Sequence, residues 1–489
     1  MEKVAKQNLS TVQKIFAVIC GALLSGFMWR VRGNHGFGAM WGMLCFAAAL
    51  VLFIFALYGK RSKMKFEMTA VTACAAAITV GGWGTLNSQM SGYLISSANF
   101  TGEEAYRLVE ISPYSGLAIM LMLGFGWMPL FSVVLGSLFS KRKYEFKDYV
   151  VFIGVYYAAM FLSCLTVSHY ILSVINPQAV EGAAAGLADR GYEFSPYVAY
   201  IKNFASAAWA KKIPFCRNYF TSIKVIASAI GALACSASVR FVLKDKFTAR
   251  FSVVINLICA VAITVADVPL ILGYDRGFFA GVALPSFMQA CAWSIWEFFT
   301  GFFIGLGIML TLVLLPKKYT DSEKNYEYSP LFKNKKLSLA FNSVFTLFIT
   351  LLIVPVRAFS MRLLEVFGAD EEIFEIILTV ILGIIAFIPC LKTAKKNIIT
   401  NGLDTPVNTS VTRFAATALP PLVIFCAIAI FFIGDPESLF WYFDSKLFTA
   451  EGFLEFWHGG ALIERLINAV AVILFFVTFK LCVKTEKKA

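Results

Sequence analysis

The sequence predicts an all-α, polytopic membrane protein of about twelve transmembrane helices, and three observations predict it. Hydrophobic residues make up 59% of the 489, 48 of them Phe, and the mean hydropathy is +0.73, well above the roughly one-half apolar content of a soluble domain. Apolar stretches of roughly 20 residues, the length a helix needs to cross the hydrocarbon core, recur along the whole chain. Lys and Arg concentrate in alternate connections.

Taken in order, the expected spans are 13–30, 38–58, 66–86, 115–139, 149–172, 219–243, 251–272, 287–315, 337–357, 373–391, 414–433 and 460–481. The first has a basic start and an apolar run from Ile15, but no small-x-small cleavage site precedes Arg30, so a retained helix is expected rather than a leader. An even number of spans puts both termini on one side. That side is cytoplasmic by the positive-inside rule, because its connections hold 29 of the 43 basic residues against 10 acidic ones (+19), while the other side has 14 against 20 (−6). The basic excess therefore reports orientation and contact with an anionic leaflet, and no nucleic-acid partner is expected. A cell membrane, specifically a bacterial plasma membrane, is the expected location, with membrane lipids as partners.

Residues 1–489 are expected to form a single transmembrane bundle. The fragment Arg32-Gly33 with Phe37-Gly38-Ala39 after span one resembles Arg276-Gly277-Phe278-Phe279-Ala280-Gly281 after span seven, which raises a 6+6 duplication with halves 1–246 and 247–489. Three outer connections, about 87–114, 173–218 and 434–459, are long. They mix aromatic residues with single charges, as amphipathic helices in the interface do. Of 11 Cys only Cys216 falls in an outer loop and no C-x-x-C occurs, so neither a disulfide framework nor a zinc ribbon is expected. The run Lys60-Arg61-Ser62-Lys63-Met64-Lys65 after span two is not the Gly-x-x-x-Asp-Arg signature of major-facilitator transporters.

Candidate functional residues gather at the outer ends of spans. Arg30 lies 16 residues past Lys14 and Asp267 lies 17 past Arg250, about 25 Å along helices in a core about 30 Å thick. Cations and carboxylates at such depth are costly and mark sites by default. Arg30 and Arg32, with His35 and the glycines Gly33, Gly36 and Gly38, would offer guanidinium forks and free backbone N–H groups to a phosphate or carboxylate; snorkelling to headgroups is the structural alternative. Gln289, Trp293, Trp296, Glu297 and Thr300 share one face of span eight. Glu297 there is expected to pair with an arginine or to exchange a proton. Asp267 precedes Pro269, and a helix broken at that depth must line protein or water. Arg276, Arg357, Asn87 and Gln89 complete the expected vestibule.

The three histidines, His35, His169 and His458, sit in unrelated connections, and neither a metal site nor a cofactor is expected. Together these residues predict an outward-facing cationic site for an anionic lipid or lipid-linked substrate. The expected activity is that of a membrane-embedded transferase with Glu297 or Asp267 as catalytic base. The alternative is a proton-coupled secondary transporter of an organic anion.

Overall fold

In the computed structural model, residues 9–33, 40–58, 112–142, 144–188, 216–272, 281–282, 292–316 and 459–483 are described. Isolated positions at 72, 75, 76, 191, 377, 380, 381, 384, 416, 419, 420, 422–424, 426 and 427 are described as well. Every element among them is a helix. The helices are α1 (Thr11–Gly33), α2 (Met40–Tyr58), α3 (Pro113–Trp127), α4 (Pro129–Ser137), α5 (Phe146–Leu165), α6 (Val167–Ile175), α7 (Pro177–Ala188), α8 (Cys216–Phe241), α9 (Lys246–Ala266), α10 (Val268–Leu272), α11 (Ala292–Val313) and α12 (Gly459–Cys482). Five of these are long and apolar enough to cross a membrane, and a sixth is the pair α3 and α4 if its bent halves count as one span. Eight expected spans coincide with described helices. Spans 66–86, 337–357, 373–391 and 414–433 fall largely outside the described residues, as do the outer connections 87–114 and 434–459.

The chain divides into two compact units. In the first, α1 packs along α12, and most of α2 and the C-terminal part of α11 belong with them. The contacts are apolar and close. Trp29 meets Phe46 edge-on at 5.0 Å, and Phe53 lies 6.1 Å from Phe479. Gly301 and Gly305 face α1 so tightly that a Cβ on Gly301 would strike the Ser25 carbonyl, and one on Gly305 would strike the Ser25 side chain. The small-x-x-x-small spacing of α11 thus serves close helix packing, the use such spacing has in membranes.

The second unit is built around α8, which packs against α3, α5 and α9, while α9 packs along α3 and α4. Gly126 of α3 lies against Ser228 and Ala229, and Gly124 against the backbone of Cys259 and Ala260, where an added Cβ would come within 2.5 Å of the Ala260 Cα. Three of the expected spans in it are discontinuous, 251–272 at Asp267 among them. Between α3 and α4 the axis turns by 42° at Met128, because Pro129 has no N–H to donate and its ring collides with the preceding turn. Span 149–172 is interrupted at Thr166, with φ −131° and ψ −88°, which ends α5 and starts α6.

The connections 138–145 and 242–245 lie together at one end of this unit. Arg142 donates to the Leu243 carbonyl and Ser140 to Asp245. At the opposite end Ser115 donates to the Ile175 carbonyl, and His169 Nδ1 lies 2.9 Å from the Tyr219 hydroxyl. The spans α3/α4, α5, α8 and α9 therefore alternate in direction.

Candidate functional sites

Helix α9 has an aspartate at each end. Asp245 is its N-cap: its side chain accepts from the backbone N–H groups of Phe247 at 3.0 Å and Thr248 at 3.1 Å, the arrangement that satisfies first-turn amides. It also accepts from Thr248 Oγ1 at 2.6 Å, from the Tyr144 hydroxyl at 2.8 Å and from Ser140. Burial alone would raise this carboxyl, but the donors from Ser140, Thr248 and Tyr144 outweigh it and hold Asp245 below the usual carboxylate value. For Tyr144, burial and the adjacent Asp245 charge both push the phenol up, so it stays a donor. Arg142 bridges to Asp148 at 3.0 Å, and Asp148 in turn accepts from the Glu145 N–H in a capping box. The result is a clasp joining two connections, made mostly of uncharged donors around one carboxylate.

Asp267 is the C-cap of the same helix, its own N–H continuing the ladder to the Ile263 carbonyl. It is fully buried in the turn before α10, which contains Pro269, so the helix does break where the proline predicts. The indole of Trp296 on α11 donates to its carboxylate. Glu297 follows Trp296 and is 4% exposed. In the second unit, then, the structure brings together Asp267 and Trp296, two residues from the expected site that are 29 positions apart.

Arg30 lies near the end of α1 in the first unit and is 8% exposed. The backbones of Arg32 and Trp293 are helical, in α1 and α11, but their side chains lie outside the described residues. His35, Asn87, Gln89, Arg276, Gln289 and Arg357 lie outside the described residues altogether.

Sequence reasoning missed one feature of this unit. Ser132 of α4, Ser236 of α8, and Ser252 and Asn256 of α9 form a buried hydroxyl and amide cluster. Uncharged polar residues stand out little in apolar spans. The signal was the proline after Trp127-Met128, together with an Asn in the middle of a span. No family model, no curated protein and no solved structure matches this chain.

Proposed function

We propose that this chain is a multi-pass membrane protein that moves an organic anion across a cell membrane in exchange for, or together with, a proton. The observation that carries the proposal is the placement of Asp267, a fully buried carboxylate at the C-terminal end of α9. The macrodipole there opposes negative charge, so the fold holds an acid where charge is costly, which is how proton-exchanging groups are commonly found. Discontinuous helices within the second unit support the transport reading, since broken spans recur where transporters bind substrates and ions. Separate tasks fall to separate residues: Arg30 and Arg32 supply cationic groups for the anion, while Asp267 and Glu297 carry the proton.

A second reading is a membrane-embedded transferase acting on an anionic lipid or lipid-linked donor, with one of the same carboxylates as base. It is favoured by depth: Asp267 stands at the far end of α9, about 25 Å beyond Arg250, nearer an interface than the midplane.

Proteoliposome assays separate the two. For the transporter, Asp267→Asn or Glu297→Gln abolishes accumulation driven by a proton gradient yet preserves counterflow exchange, because the neutral side chain mimics the protonated state. Failure of the wild-type protein to move any solute, with turnover of a lipid substrate instead, would establish the transferase. In either case Arg30→Lys weakens anion binding by about 1.5–3 kcal/mol, the range for hydrogen bonds to charged groups, because Lys lacks the planar fork. Unchanged binding there would assign Arg30 to headgroup contact. Orientation is checked with an impermeant thiol reagent on intact cells: Ser195→Cys reacts and Ser62→Cys does not.

A further inference from the structure

The first and last described helices meet through a pair of thiols. Cys20 on α1 is fully buried, and its Sγ donates to the Phe475 carbonyl of α12 at 3.9 Å. Its other neighbours on α12 are the Cys482 thiol and the Thr478 hydroxyl, both within hydrogen-bonding reach. Phe475 and Cys482 are seven residues apart, with Thr478 between them, so the three share the face that α12 turns toward α1. All three are buried. Cys20 and Cys482 are free thiols and belong to the same compact unit. The packing of α1 along α12 thus brings two residues near the opposite ends of the chain together, sulfur beside sulfur.

The two thiols are not equivalent. Cys20 stands well inside α1, with packed residues on every side. Cys482 is the last residue of α12, where its Sγ donates to the Phe479 carbonyl at 3.5 Å. Terminal turns of helices lack part of the hydrogen-bond ladder and open more readily than the middle. Leu481 beside it is 47% exposed, so an opening of one turn brings Cys482 to the surface while Cys20 stays covered. Lys480 and Lys484 flank Cys482 in the sequence, and a nearby cation favours the thiolate, which is the reactive form. Cys482 is therefore the point of entry, and Cys20 is the thiol waiting behind it. Joining the two sulfurs needs no cavity, because two hydrogens leave and the sulfurs draw together.

We propose that Cys482 and Cys20 form an oxidation site that reacts with a membrane-soluble organic hydroperoxide and ends as a disulfide tying α12 to α1. The Cys482 sulfur attacks the terminal oxygen of the hydroperoxide and the O–O bond breaks. The inner oxygen leaves as the alcohol with the Cys482 proton, and the terminal one stays on Cys482 as a sulfenic acid. The Cys20 sulfur then attacks the Cys482 sulfur, the S–O bond breaks, and the hydroxyl leaves as water with the Cys20 proton. The two thiols lose two electrons, which the hydroperoxide gains. An apolar hydroperoxide suits the site because the exposed side chains nearest Cys482 on α12 include Val477 and Leu481. The chemistry is the same whether the chain is a transporter or a transferase.

The test uses the full chain, purified in detergent with its thiols reduced, and cumene hydroperoxide as the probe. After reaction the protein is unfolded in N-ethylmaleimide, to stop exchange, and digested with trypsin. The expected product is the peptide 15–30, which carries Cys20, joined to the peptide 481–484, which carries Cys482, and dithiothreitol should separate them. Because the bond closes almost the whole chain into a loop, the oxidised protein should unfold at a higher temperature than the reduced one, and dithiothreitol should erase the difference. Cys20→Ser should lose both the joined peptides and the rise in midpoint, and leave a sulfenic acid on Cys482 that dimedone traps. In Cys482→Ser, Cys20 should be recovered unoxidised as its maleimide adduct.

Absence of the joined peptides from the oxidised wild type would overturn the assignment, and this measurement needs no variant to fold. So would a yield no greater than that of chain oxidised after unfolding, since the pairing would then owe nothing to the packing of α1 on α12. An unchanged unfolding midpoint in the cross-linked protein would remove the tie between the helices. Oxidation of Cys20 in Cys482→Ser as fast as in the wild type would overturn the order of reaction, with Cys482 no longer the point of entry.

Discussion

Helix α9 begins and ends on a buried aspartate, and the two are held in opposite ways. Asp245 sits at the electropositive end, with two backbone amides and three hydroxyl groups donating to it. Asp267 sits at the electronegative end, in the turn before α10, with an indole as donor. The same residue type on the same helix is stabilised by the field at one terminus and opposed by it at the other. Burial alone therefore does not single out a candidate carboxylate; its place in the field of the helix is what separates these two.

The largest effect that would break the comparison is at Asp245. Asp245→Ala removes the cap and leaves the Ser140, Tyr144 and Thr248 hydroxyls without their acceptor. Thermal or denaturant unfolding in detergent should show a loss on the order of 3–5 kcal/mol. A loss under about 1 kcal/mol would mean the clasp is dispensable.

Acid provides the next test, and its direction follows from the lowered value of Asp245. A carboxyl whose folded value lies below its unfolded one contributes stability that is present above about pH 4 and is lost as pH falls through the folded value. The unfolding midpoint should drop on acidification below about pH 4, and this part of the drop should be absent in Asp245→Asn. A wild-type profile that Asp245→Asn reproduces would remove the clasp from the pH dependence. Thr248→Val is a smaller change, deleting one hydroxyl donor while its backbone N–H still caps. It should cost about 1 kcal/mol.

The smallest stability effect is expected at the other terminus. Asp267→Asn keeps an oxygen for the Trp296 indole and removes charge from the negative end of the dipole, so stability should change by less than about 1 kcal/mol while the proposed proton-driven transport is lost. Severe destabilisation by this substitution would place Asp267 beside Asp245 as a structural residue and end the contrast.

Much of this architecture is legible in sequence because membrane spans are written in composition. The runs 13–30, 219–243 and 460–481 match α1, α8 and α12 to within a few residues. Caps and breaks are less legible. Span 251–272 begins earlier, at Lys246, because Asp245 caps it, and hydropathy does not register a cap. The bend at Met128 is written in Pro129, which hydropathy does not register, and the interruption at Thr166 falls inside an uninterrupted apolar run. The break at Asp267 is legible because Pro269 forces it. The pairing of Asp267 with Trp296 is not, since it depends on how α9 and α11 meet.

The glycines before the bend carry a consequence for ancestry. Gly124 has the backbone of Cys259 and Ala260 where a Cβ would go, and Gly126 has Ser228 and Ala229. Neither position admits a larger residue without separating α3 from α8 and α9. A descendant of the same ancestor can exchange loop charges freely, yet as long as it retains this packing it must keep two glycines one residue apart, with a proline three positions after the second. Within an apolar run, that spacing is therefore one inherited signature to seek in distant kin.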